Sequence, residues 1–169
     1  GYRTLPNGKA LTLKFMTENS SSSVVQSELW KKNLDAIGIR VDFQVSNFAD
    51  NLKAATQCKY MVWGGAWIAD YPDGENYLSV FYSKNKVPFG PNYTGYFNKE
   101  FDKLFEQSYY ENDQKKRFEL YHKMDNMVLE NASVVPILYD QSVVMLQNNI
   151  SGYVINPLSL MILKGVKKK

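Results

Sequence analysis

Two carboxylates three residues apart, Asp70 and Asp73, close an apolar and aromatic run over residues 61–73, Met-Val-Trp-Gly-Gly-Ala-Trp-Ile-Ala-Asp-Tyr-Pro-Asp. A pair of carboxylates can perform glycosidase-type acid and base chemistry. With Pro72 between them the same residues also make a turn, in which an aspartate caps backbone N–H groups. A carboxylate left over from the turn can bind a cationic ligand group through a charge-assisted hydrogen bond. Trp63 and Trp67, four residues apart, fall on one side of a strand, and Gly64 and Gly65 between them leave room for another backbone. Asp70 then stands just past the C-terminal end of that strand, where open α/β sheets place their ligands. A core strand ending in an Asp-Pro turn is the plain structural reading of the same residues.

Other reactive groups are few. His122 is the only histidine. With Glu119 it makes one Glu-x-x-His pair, whereas a di-iron bundle needs two. A Ser-His-Asp triad would have to recruit that same histidine, and no Gly-x-Ser-x-Gly elbow presents a serine. Gly64-Gly65 opens neither a dinucleotide fingerprint nor a phosphate-binding Gly-Lys-Ser/Thr loop. Catalysis is therefore poorly supported, and neither a cofactor nor a metal is expected.

The elements that must position Asp70 follow from periodicity. Residues 11–15 alternate as a strand, and residues 24–37 carry Trp30, Leu34 and Ile37 at helical spacing before Gly38 as a stop. Residues 41–45 alternate as a second strand, Asn47 caps a helix running to Ala54, and residues 60–68 form a third strand. Strand, helix, strand, helix, strand is the order of a parallel α/β layer. A short helical stretch over 76–81 and a Gly-, Pro- and Asn-rich loop over 83–95 come next. Asn98 caps a helix with Phe101, Leu104, Phe105, Ser108 and Tyr109 on one face. Asp113 caps another with Leu120, Tyr121, Met124, Met127 and Val128 on its core side. Residues 134–139 and 142–146 read as two more strands, and 148–169 have no strong period.

Length and composition suit one compact domain: 169 residues, 44% hydrophobic and 14% aromatic with twelve tyrosines. The net charge of +3 comes from the lysines at 167–169, without which the basic residues equal the 17 acidic ones. Nucleic-acid binding has no support in that balance. Cys58 is the single cysteine, so no internal disulfide forms and the compartment stays open. No apolar run is long enough to span a bilayer, and the N-terminus lacks a signal-peptide layout.

Trp67-Ile68-Ala69-Asp70-Tyr71-Pro72-Asp73 resembles the signature of the family 5 extracellular solute-binding proteins, the receptors of oligopeptide and dipeptide ABC importers. The resemblance extends along nearly the whole chain. It includes Gly1-Tyr2-Arg3 with Pro6 through Leu13, Gly38-Ile39-Arg40-Val41, Asn98-x-x-Phe101-Asp102-x-Leu104, Arg117-x-x-x-Tyr121 and Val135-Pro136-Ile137-Leu138-Tyr139. Two departures stand out. Gly74 occupies the place where proline is usual, which should loosen the turn. Gly64 and Gly65 stand where some peptide-binding members carry an arginine for the ligand's carboxylate.

The resemblance implies an α/β fold of the type II periplasmic-binding-protein kind, a mixed sheet flanked by helices, in a C-terminal fragment of a two-lobe receptor. Residues 1–147 would form part of the second-lobe ligand-binding domain, and 148–169 a stretch returning toward the first lobe. Trp67 and Asp70 match positions that contact the bound peptide, and the backbone of Ala66, Trp67 and Ile68 matches a segment that pairs with it as an added strand. Pairing through the main chain gives affinity while wet pockets accept varied side chains. Asp70 would hold the peptide's α-ammonium. The implied partners are a peptide and ABC permease subunits, outside the cytoplasmic membrane, with any lipid anchor in sequence preceding these residues. A receptor for a nickel chelate or sugar, a sensory binding domain and a carboxylate-based hydrolase on Asp70 and Asp73 are the alternatives.

Overall fold

Phe15 and Met16 are adjacent in sequence and both buried, as a strand covered on both faces requires. They lie at the middle of β1 (Thr12–Glu18). In the computed structural model, which describes residues 1–139, 141, 143–156, 158 and 160–169, β1 is the central strand of a parallel sheet ordered β2-β1-β3. Strand β2 (Arg40–Ser46) pairs along its full length, from Thr12 opposite Arg40 to Glu18 opposite Ser46.

Helix α1 (Ser21–Ala36) begins earlier than the spacing of its apolar residues predicts. The cause is Ser20, whose hydroxyl accepts the Ser23 N–H at 3.1 Å and so satisfies an otherwise unpaired donor. The helix ends as expected at Gly38, which takes φ +77°. There the Ile39 N–H reaches the Leu34 carbonyl and the Gly38 N–H that of Asp35, the paired bonds of a Schellman close. Trp30 lays its ring 5.4 Å from that of Phe15 and fastens α1 to the sheet. Asn47 caps α2 (Phe48–Thr56) by accepting from the Asp50 N–H, and buried Asn51 donates to the Thr17 carbonyl at 2.9 Å.

The third strand is shorter than the sequence suggests. Only β3 (Val62–Trp63) pairs, Val62 with Phe15 and Trp63 with Met16. Gly64 and Gly65 offer no side chain to pack and lose the most backbone entropy on ordering, so the ladder stops there. Residues 64–69 carry no strand, and Trp67 does not share a strand face with Trp63.

Residues 1–66 with 87–89 form one compact unit; residues 67–86 with 90–169 form another. The second unit holds α3 (Glu75–Leu78), which continues as a 3-10 turn over Ser79–Phe81, then α4 (Lys99–Ser108) and α5 (Gln114–Glu130). Asn98 and Asp113 cap the two long helices as expected, each accepting from two backbone N–H groups. Their apolar stripes make the core: Phe101, Phe105, Met124, Leu120 and Val128 close on Leu78 and Tyr96. Strands β4 (Ile150–Ser151) and β5 (Lys167–Lys168) pair antiparallel.

The strands expected over 134–139 and 142–146 do not form among the described residues; Ser142 lies outside them. Val135, Ile137, Leu138 and Met145 stand exposed there. Alternation becomes a strand only where a neighbour supplies ladder hydrogen bonds. No described helix is long and apolar enough to cross a membrane.

Candidate functional site

Asp70 and Asp73 have opposite surroundings. Asp73 is partly buried and fully engaged: its Oδ1 accepts from the Glu75 N–H at 2.9 Å and the Tyr121 hydroxyl at 2.7 Å. Its Oδ2 lies 2.9 Å from Arg117 Nη2. Helix α5 delivers both partners, since Arg117 and Tyr121 are four residues apart and lie one turn from each other. Burial pushes the Asp73 carboxyl up, but the Glu75 N–H, the Tyr121 hydroxyl and the Arg117 guanidinium outweigh it and hold the group below its ordinary range. Burial first, and then the bond to Asp73, raise the Tyr121 hydroxyl.

Asp70 is exposed, and its carboxylate accepts no hydrogen bond from any described residue. What is fixed is its backbone. Asn76 Oδ1 accepts the Asp70 N–H at 3.3 Å and the Trp67 indole Nε1–H at 2.8 Å. The turn therefore holds a free carboxylate beside a tethered indole that is itself 37% exposed. Ile68 is exposed too, whereas Ala69 is buried and anchors the turn. Ala66 is likewise exposed, and the backbone of residues 66–68 pairs with no other backbone segment among the described residues.

Three residues around this turn carry weight that sequence reasoning did not assign. Asn76 and Glu75 are buried polar groups at 4% and 3% exposure. Glu75 receives the Tyr109 hydroxyl at 2.7 Å and also the Tyr71 hydroxyl. The bond to Glu75 and then burial raise the Tyr71 hydroxyl, while the Asn76 side chain acts the other way. Arg117 appeared in a motif but without a role. The available signal was the polar run Asp73-Gly74-Glu75-Asn76 opening a helix, where side chains turn back to cap backbone groups.

Gly74 follows an Asp73 whose two carboxylate oxygens are both engaged. Gly74 sits at φ −63°, and a Cβ there would stand 3.2 Å from the Tyr121 ring. The small residue lets Tyr121 lie close over the turn.

A hollow of about 560 Å³ beside Asp73 is lined among others by Tyr71, Tyr77, Asn112, Gln114, Arg117 and Phe118. The first unit has its own depression at the C-terminal ends of β1 and β2, lined by Glu18, Asn19, Val45, Ser46, Asn47 and Phe48. His122 and Glu119 are exposed on α5. Among the described residues no group of three or more His, Cys, Asp or Glu could hold a metal ion.

Comparison with known proteins gives this geometry its context. Residues 1–89 match the family described as "Bacterial extracellular solute-binding proteins, family 5 Middle". The oligopeptide-binding protein OppA of Bacillus subtilis is 30% identical over 146 residues, 85% of this chain and 26% of OppA. The dipeptide-binding protein DppE of the same organism is 27% identical over 169 residues, 99% of this chain and 29% of DppE. The chain thus spans between a quarter and a third of the length of these relatives. The murein tripeptide binding protein MppA of Escherichia coli superposes with a TM-score of 0.79 at 22% identity, covering 99% of this chain and 32% of MppA. That likeness shows the fold: an α/β part of a type II periplasmic binding protein.

Proposed function

The chain belongs to the bacterial extracellular solute-binding proteins of family 5, and from that premise we propose that it is part of a receptor that captures peptides for an ABC importer. The family consists of solute-binding proteins and not of enzymes. The observation that carries the proposal is the free Asp70 carboxylate on a turn whose backbone Asn76 fixes. An aspartate with no internal partner, beside an indole, suits a peptide's α-ammonium in a cleft that excludes water. Ala66, Trp67 and Ile68 have backbone groups open to an added strand, which accepts peptides without regard to side chains. The names of OppA and DppE, oligopeptide- and dipeptide-binding, support the same class of ligand.

Asp73 argues against the hydrolase reading. A glycosidase carboxylate needs an oxygen free to meet the substrate or a water, whereas both oxygens of Asp73 are engaged by Glu75, Tyr121 and Arg117. In the proposed receptor, residues 1–147 belong to the second lobe and 148–169 return toward the first. The partners are ABC permease subunits, and the site of action is outside the cytoplasmic membrane. The experiment is to purify the full-length protein, denature it and identify the released solute by mass spectrometry. Intact peptides are expected. A nickel chelate, a sugar or a hydrolysed product would replace this reading.

A further inference from the structure

Asn76 joins the two residues of the turn that face solvent to the core of the unit that holds them. The residue is 4% exposed, and an amide buried to that degree is costly unless it is hydrogen-bonded. Its Oδ1 accepts Trp67 Nε1–H at 2.8 Å and Asp70 N–H at 3.3 Å, so one oxygen sets the spacing of the indole and the aspartate. The residue itself is held in α3: its N–H reaches the Asp73 carbonyl at 3.2 Å, and its carbonyl accepts the Ser79 hydroxyl at 2.7 Å. Two residues further on, Leu78 is packed into the hydrophobic core. The path runs from core to α3, from α3 to Asn76, and from Asn76 to the exposed pair.

Resting on the reading of Asp70 given above, we propose that Asn76 is a positioning residue that keeps Asp70 and Trp67 in register for the ligand's α-ammonium. A freely swinging turn would pay the ordering cost at each binding event, and a turn already held does not. Asn76 touches no ligand in this account. It acts through the two residues it holds, and it accounts for a buried amide oxygen aimed at this turn.

The test uses the full-length receptor, one peptide and its N-acetyl form, with calorimetry giving the ratio of their dissociation constants. Asn76→Ala should lower that ratio about tenfold, the size of one well-made hydrogen bond. Asn76→Asp keeps an acceptor oxygen in place and should hold the ratio within about threefold of wild type. If the alanine variant does not fold, Asn76→Gln, which displaces the amide by one methylene, should show the same loss. The Trp67 indole N–H should exchange with solvent faster in the variants that lose the ratio and not in Asn76→Asp. A folded Asn76→Ala or Asn76→Gln with the wild-type ratio and only a lower melting temperature overturns the proposal and leaves Asn76 a structural cap. A wild-type ratio near one, or one that Asp70→Ala leaves unchanged, removes the reading of Asp70 instead, which is a different result.

Discussion

Arg117 Nη2 stands 2.9 Å from Asp73 Oδ2, joining the middle of the aspartate turn to α5. Tyr121, one turn along the helix, closes on the other carboxylate oxygen. Two side chains of one helix thus take up both oxygens of the second aspartate and leave the first one free. The division of labour between Asp70 and Asp73 lies in these contacts, since the residue types are identical.

Acid should weaken this grip. The folded Asp73 carboxyl lies below its ordinary value of 3.8, so its contribution to stability is fully present above about pH 4 and is lost as pH falls through the lower folded value. Asp73→Asn abolishes that contribution. Urea unfolding of the two proteins should show a gap of about 1–3 kcal/mol near neutral pH that narrows steadily below about pH 4. A gap that is constant across that range would mean Asp73 does not titrate differently in the folded state.

Much of the frame was legible in the sequence. Asn98 and Asp113 mark α4 and α5, and most of the stripes behind them line the core, including buried Ser108, whereas Tyr109 at the end of the first stripe is exposed. Clean alternation marked β1 and β2. The third strand is shorter than its apolar run suggests, because such a run states burial without stating pairing and two glycines end the ladder. Residues 134–146 misled for the same reason: pattern prepares a strand, but only a partner makes one. The turn's carboxylates were visible in the sequence, while the atoms that separate them came from Glu75, Asn76 and α5. Burial of a polar side chain depends on tertiary contacts and leaves no periodic trace.

The core of the second unit makes a quantitative expectation. Phe101 and Phe105 are fully buried, with nearly parallel rings 6.2 Å apart. Phe101→Ala removes a ring that α5 packs against and should cost about 3–5 kcal/mol by chemical denaturation. A loss below about 1 kcal/mol would show that this core is not the one holding α3 and its turn.

Gly38 tests the first unit. Its φ of +77° disfavours any side chain, and a Cβ would stand 2.9 Å from the Gly1 carbonyl oxygen. Gly38→Ala should destabilise by about 1 kcal/mol or more, seen as a lower urea midpoint with an unchanged slope. An unchanged midpoint would contradict the close of α1 described above.

The central claim is that Asp70 holds the ligand's α-ammonium, and a calorimetric double cycle in the full-length receptor tests it most directly. Asp70→Ala should cost about 2–5 kcal/mol, roughly a 30- to 5,000-fold loss of affinity, because it strands a buried charge. Acetylating the peptide's N-terminus should cost the wild type a similar amount and add little in the variant, since both changes remove one interaction. Losses that simply add would contradict the account and return Asp70 to the role of a turn residue.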